Sequence, residues 1–314
     1  MNTIADLLRE ARRYLADSSA GNENNESHAL DAELLLSHAL GKSRTYLYTW
    51  PEQEVGDTAL SQFQHWLSRR QQGEPVAYLL GRREFYGHEF LVSPDTLIPR
   101  PDTELLVDIA LEKLDAQAPL RLVDLGAGTG AIAISLGLAR PHWQLLAADY
   151  TVAVVDLLER NIRRLKAANV TPLQSDWYRA LSGRFDAIIS NPPYIPAGDV
   201  HLSRGDVRYE PRSALVAGDD GLDDIRLIID GAGARLNSGG LLLLEHGYDQ
   251  AKAVSALMQQ AGFLRVETRT DLGGNERATL GFYKSDAQKP DSQKLDSQKL
   301  DSQEPGRYGE PHAQ

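Results

Sequence analysis

The chain has 314 residues, 42% of them hydrophobic, a formal net charge of −11 and no cysteine. That length suggests roughly two domains of about 150 residues each, and no apolar run reaches the ~18 residues of a membrane span. The missing cysteines exclude disulfides, thiolate catalysis and Cys-ligated zinc, and the negative charge argues against an extended phosphate-binding surface.

Met1–Asp17 carries Asp6 and Glu10 among its basic residues and has no uninterrupted apolar core. It fits neither a secretory signal nor an acid-poor transit peptide, and the expected location is cytoplasmic. Ile4, Leu7, Leu8, Ala11 and Leu15 fall on one helical face, and a second apolar-periodic run covers His28–Leu40 and closes at Gly41. A third helix is expected over Asp57–Gln72, with Leu60, Phe63 and Leu67 on one side. Residues 1–74 therefore read as a small helical bundle. With seven Lys/Arg against eleven Asp/Glu it is no nucleic-acid clamp. Its apolar faces suit self-packing or recognition of a protein partner.

From Val76 the pattern changes, and two short strands around Gly87 make 75–98 a hairpin linker. Asp102 is the expected N-cap of a helix carrying Leu105, Leu106, Ile109, Ala110 and Leu114, and the Pro-Arg-Pro before it can wall a pocket. After Pro119 comes a strand Leu120–Leu125, the loop Gly126-Ala127-Gly128-Thr129-Gly130 and a helix Ala131–Ala139. Glycines let the backbone turn tightly and approach a ligand, while the helix start presents free N–H groups to it. The next strand, Gln144–Ala148, delivers Asp149 about 20 residues beyond the loop, where a carboxylate can accept from a ribose diol. A nucleoside-containing cofactor is implied. The loop also satisfies the dinucleotide pattern, so a nicotinamide oxidoreductase is an alternative at this point.

A helix Thr151–Leu165 and a strand Val170–Gln174 follow, and Asp176-Trp177 comes just after, where the indole can lie against a base ring or simply fill the core. The apolar run from Asp186 to Ser190 reads as a buried strand that stops at Asn191-Pro192-Pro193-Tyr194. A residue before Pro is held extended, so the Asn191 side chain sits on a stiff backbone at a strand's carboxyl end, where ligands of open α/β sheets bind. Its carboxamide oxygen and the Pro192 carbonyl can accept both hydrogens of a planar –NH2, and the ring of Tyr194 can cover that group. Such a group belongs to a side-chain amide or a nucleobase edge. The plainer reading is a proline-rich loop. Beyond it lie a helix over Leu222–Leu236, a Leu-rich strand over Gly240–Glu245, a helix over Ala251–Gln260 and a closing hairpin, Leu264–Thr270 with Arg277–Lys284. The repeats of Asp-Ser-Gln-Lys-Leu in 285–314 are polar and of low complexity, so this tail is expected to be disordered.

These residues carry a resemblance that spans 1–284. Gly73-Glu-Pro-Val-Ala-Tyr78, Leu97-Ile-Pro-Arg-Pro-Asp-Thr-Glu104, Asp124-Leu-Gly-Ala-Gly-Thr-Gly130, Asn191-Pro-Pro-Tyr-Ile195, Tyr209-Glu-Pro-Arg212 and Gly218-Asp-Asp-Gly-Leu222 resemble the HemK family of protein-(glutamine-N5) methyltransferases. The resemblance implies a Rossmann-like class I methyltransferase domain over 99–284, a mostly parallel sheet with an antiparallel closing hairpin. It implies S-adenosylmethionine as cofactor, held by Gly126, Ala127, Gly128, Thr129 and Gly130, by Asp149 at the ribose, by Asp176 and Trp177 at the adenine and by Asn191. Asn191 and Pro192 would be catalytic, and with Pro193 and Tyr194 they would hold the substrate amide, with no metal. The implied partners are class I peptide chain release factors, approached by a monomer that binds neither membrane nor nucleic acid. Asn-Pro-Pro-Tyr is shared with adenine-N6 methyltransferases of DNA or RNA, which stand as the alternative.

Overall fold

The computed structural model describes residues 2–17 and 25–284, with the side chains of 25–27 left aside. The expectation of a disordered repeat tail over 285–314 lies outside the described residues.

The N-terminal elements are α1 (Ile4–Ala16), α2 (Asn25–Leu40), α3 (Arg44–Thr49), α4 (Asp57–Gln71) and α5 (Val76–Leu80). The Thr3 hydroxyl accepts from the Asp6 N–H and caps α1. The face of α1 read from the sequence, Ile4 to Leu15, is the buried one. It packs on Ala32, Leu35 and Leu36 of α2 and on Phe63 of α4. Two elements escaped the sequence reading: α3 is a six-residue helix capped by Ser43, and α5 opens the stretch assigned to the linker. Leu79 of α5 belongs to the bundle core, and Gly81 at φ +66° ends the helix in a conformation that a side chain would strain.

The strands β1 (Arg82–Phe85) and β2 (His88–Leu91) form the expected hairpin. It is pinned onto the domain that follows. The buried carboxamide of Asn161 accepts from the Leu91 N–H at 2.8 Å and donates to the carbonyls of Leu91 and Thr129 at 3.0 and 2.9 Å. Hairpin and glycine loop are thus fixed by one side chain.

The remaining elements are α6 (Glu104–Lys113), β3 (Arg121–Leu125), α7 (Ala131–Ala139), β4 (Gln144–Asp149), α8 (Val152–Leu165), β5 (Val170–Gln174), β6 (Phe185–Ser190), α9 (Asp223–Arg235), β7 (Leu236–Glu245), α10 (Ala251–Gln260), β8 (Phe263–Thr270) and β9 (Glu276–Tyr283). Among the described residues they build a seven-stranded sheet in the order β5-β4-β3-β6-β7-β9-β8. Ladders from β5 through β7 are parallel and both ladders of β9 are antiparallel. Pro172 cannot donate a ladder hydrogen bond and accordingly lies in β5, an edge strand. The central strands carry continuous apolar runs because helices cover both faces: alternate residues of β7, Leu241 and Leu243 on one side and Leu242 and Leu244 on the other, enter two separate cores. Strand order reverses between β3 and β6, and the crevice at their carboxyl ends is where such a sheet binds ligands.

One local expectation is corrected. Asp102 does not cap α6. Pro101 opens a short 3-10 turn, Pro101–Thr103, that carries Asp102 past the helix start, and the cap position falls to Thr103, whose side chain makes no capping bond. The Asp102 carboxylate instead lies 3.7 Å from the Arg277 guanidinium.

Candidate active site

A cavity of about 400 Å³ opens at the carboxyl ends of β3, β4 and β6. That size suits a nucleoside-bearing molecule. Its floor is the glycine loop, where the N–H groups of Gly126 and Ala127 both donate to the Ala148 carbonyl at 2.9 and 3.0 Å and bind the loop to β4. Gly128 at φ +55° and Gly130 at φ +82° keep the turn tight. A Cβ on Gly130 would lie 2.4 Å from Leu158, so this glycine lets α7 and α8 approach. Gly126, Ala127, Gly128 and Thr129 line the cavity; Gly130 sits behind it.

Asp149 ends β4 on the cavity wall, and its Oδ2 accepts from the Gly128 N–H at 2.9 Å. Burial, the largest influence, raises its pKa against the backbone donors that favour the anion. Further donors, such as a vicinal diol, would stabilise that charge. Trp177 and Asp176 also line the cavity. Trp177 takes φ +46°, a conformation that costs a non-glycine residue about 1 kcal/mol or more. The Ser175 hydroxyl holds it, donating to the Trp177 carbonyl at 2.7 Å and accepting from the Ala180 N–H at 3.0 Å. The indole then lies against the glycine loop, 3.7 Å from where a Gly126 Cβ would be. Loop, carboxylate and flat ring together form a cradle that fits a nucleoside.

Asn191 and Pro193 line the cavity, and the Pro192 ring is buried behind them. Asn191 Nδ2 donates to the Thr103 hydroxyl at 3.0 Å. Its Oδ1 is buried without a partner, a costly state for a polar atom unless a ligand supplies a donor. Tyr194 turns away from the cavity lining. Its hydroxyl donates to Glu245 Oε1 at 3.3 Å and its carbonyl accepts from Gln250 Nε2 at 3.0 Å, which leaves the ring as a brace beneath the site and not a cover over it. Gly221 admits this packing: a Cβ there would stand 2.2 Å from the Tyr194 carbonyl oxygen.

Several contributors were not singled out in the sequence. Glu245, at the carboxyl end of β7, could have been found by the reasoning applied to Asn191. Pro99 and Arg100 line the cavity as the Pro-Arg-Pro pattern allowed. Arg100 is held by the buried Glu210, which also accepts from the Ile98 N–H at 3.1 Å. The loop after Asn191-Pro-Pro-Tyr194 is in turn tied to the bundle. Buried Arg70 of α4 bonds Asp31 of α2 at 2.8 Å and Asp206 at 2.7 Å, and the Tyr209 hydroxyl donates to the Gln72 carbonyl at 2.8 Å.

Sheet order, glycine loop, strand-end acid and the carboxamide across the cavity define a class I methyltransferase. Family models agree in both halves: a PrmC N-terminal domain matches residues 6–81 and a methyltransferase small domain matches residues 102–204. A release factor glutamine methyltransferase of Pseudomonas aeruginosa is 52% identical over 282 residues, 90% of this chain and 99% of the relative. That of Escherichia coli is 47% identical over 275 residues, 87% and 99% of the two chains. A methyltransferase from Pyrococcus furiosus shares the fold, with a TM-score of 0.50 and 18% identity over 71% of this chain and 100% of that one. The chain belongs to the release factor glutamine methyltransferase family.

Proposed function

We propose that the chain transfers a methyl group from S-adenosylmethionine to the side-chain amide nitrogen, N5, of the glutamine in the Gly-Gly-Gln tripeptide of class I peptide chain release factors. The observation that carries the reading is the buried, unpartnered Oδ1 of Asn191 beside a nucleoside-shaped cradle. It is an acceptor waiting for an N–H.

When bound, S-adenosylmethionine supplies an electrophilic sulfonium methyl. The loop Gly126–Gly130 would receive its methionine part and ribose, Asp149 would accept from the ribose hydroxyls, and Asp176 with Trp177 would hold the adenine. An amide nitrogen is a poor nucleophile because its lone pair is delocalised into the carbonyl. Asn191 Oδ1 and the Pro192 carbonyl, each accepting one of its hydrogens, raise electron density on nitrogen and fix it in line with the methyl. The nitrogen gains the methyl and loses one proton to solvent. Pro193 shapes the entrance, and Tyr194 braces the loop from below. In this reading the chain works in the cytoplasm as a monomer, with the bundle and hairpin docking a protein substrate and no direct contact with nucleic acid. No helix among the described residues is long and apolar enough to cross a membrane.

The test is transfer of labelled methyl from S-adenosylmethionine to purified release factor, beside a release factor whose tripeptide glutamine is replaced. Label on the first alone is expected. Equal label on both, or label only on added DNA or RNA, would overturn the reading and favour the adenine-N6 alternative.

A further inference from the structure

Gly73-Glu-Pro75 and Tyr209-Glu-Pro-Arg212 stand apart from Asn191, yet the fold joins both to Arg100 on the cavity wall. Arg208 Nη2 lies 1.7 Å from where a Gly73 Cβ would be and donates to the Gln72 carbonyl at 2.8 Å. The Tyr209 hydroxyl donates to the same carbonyl. With Tyr209 fixed to the bundle, Glu210 follows as a buried side chain with both oxygens committed. Its Oε2 accepts from the Ile98 N–H at 3.1 Å and its Oε1 from Arg100 Nη2. The other N–H groups of Arg100 make no hydrogen bond among the described residues, and its side chain is 31% exposed.

Arg100 is also the one cation among the described residues that line the cavity, where its charged neighbours are Asp95, Asp149, Asp176 and Asp224. A guanidinium so placed suits an anion with two acceptor oxygens. The Gly-Gly-Gln tripeptide carries no charge, whereas S-adenosylmethionine carries one anionic group, the carboxylate of its methionine tail. The glycine loop offers that carboxylate few donors. The N–H groups of Gly126 and Ala127 are spent on the Ala148 carbonyl, that of Gly128 on Asp149 and that of Gly130 on the Ala127 carbonyl.

We infer that Arg100 receives the methionine carboxylate of S-adenosylmethionine and that Glu210 is its positioning residue, holding the guanidinium at the cavity from a segment tied to the bundle. The inference rests on the cofactor named in the proposed function. It makes Arg100 a specificity determinant, because the same sulfonium nucleoside without its carboxylate keeps the reactive methyl. Without Arg100 the four aspartates would favour that more positive molecule.

Calorimetric titration of the full chain with S-adenosylmethionine and with decarboxylated S-adenosylmethionine tests this in the parent, Arg100→Met, Glu210→Gln and the double variant Arg100→Met/Glu210→Gln. The parent is expected to bind S-adenosylmethionine about 10-fold or more tighter, the worth of one charge-assisted pair. Arg100→Met loses that preference through weaker binding of S-adenosylmethionine, while affinity for the decarboxylated nucleoside is kept or raised. Glu210→Gln narrows the preference in the same way, whereas a merely structural lesion lowers both affinities together. Arg100→Met leaves the buried Glu210 carboxylate without its ion pair, at a cost in folding stability. The double variant removes both charges, retains an acceptor for the Ile98 N–H, and is expected to lack the preference as well. A preference that survives in the double variant, equal loss of both affinities in Glu210→Gln, or equal binding of the two nucleosides by the parent would overturn the inference and leave the cofactor reading standing. A parent that binds neither nucleoside would overturn both.

Discussion

Replacing Glu245 by Gln is expected to stabilise the protein at alkaline pH. Glu245 is 1% exposed, and burial, the largest influence, raises its pKa from 4.5 to about 7 against the partial compensation of Thr103, Arg277 and Tyr194. The folded protein therefore holds this proton more tightly than the unfolded chain does. The stability it contributes is complete below about pH 4.5, declines above that, and is lost as pH rises through about 7. At ~1.4 kcal/mol per pKa unit the displacement amounts to about 3 kcal/mol. Gln carries no such dependence. Urea unfolding of parent and variant between pH 4 and pH 8.5 isolates the residue, since other titrating groups cancel in the difference. The variant should gain about 3 kcal/mol on the parent across that range. A difference that stays flat with pH would refute the assignment of a buried, strained carboxylate at this position.

Asn191→Ala should lower methyl transfer by roughly 10²-fold or more with little change in S-adenosylmethionine binding, since it removes an acceptor for the reacting group but only one of the several residues expected at the cofactor; calorimetry and single-turnover rates check the two halves. Asp149→Ala should do the reverse, weakening cofactor binding by about 10-fold or more through loss of charge-assisted hydrogen bonds, and calorimetry showing parental affinity would count against the ribose role. Arg70→Ala should cost about 3–5 kcal/mol in urea unfolding, because it leaves the buried Asp31 carboxylate unpaired between α2 and α4. A loss below about 1 kcal/mol would mean that this ion pair is no more than a surface contact.

Much of this architecture was legible because each feature had a local cause. Periodicity placed α1 with its buried face, and the sequence from Gly126 to Asp149 placed a loop and an acid at two neighbouring strand ends. The Asn-Pro pair marked the end of β6 because a residue before proline cannot continue into a helix. Helices α3 and α5 were missed: at six and five residues they are too short for a periodic signal, and packing on α2 and α4 stabilises them. Asp102 was misread because a capping pattern cannot distinguish an α-helix start from a 3-10 turn that Pro101 sets in front of it. The role of Tyr194 depends on Glu245, 51 residues away in sequence, and that of Thr103 on Asn191, 88 residues away. Only the folded sheet brings these partners together.

Fragmentation mass spectrometry of release factor after incubation with S-adenosylmethionine and the chain is the most direct test of the central claim, because it locates the methyl at one atom. The account expects a single added methyl on the side-chain amide nitrogen of the tripeptide glutamine with the parent protein, and almost none with Asn191→Ala at equal cofactor occupancy. A methyl on any other side chain, or undiminished methylation by Asn191→Ala, would contradict it.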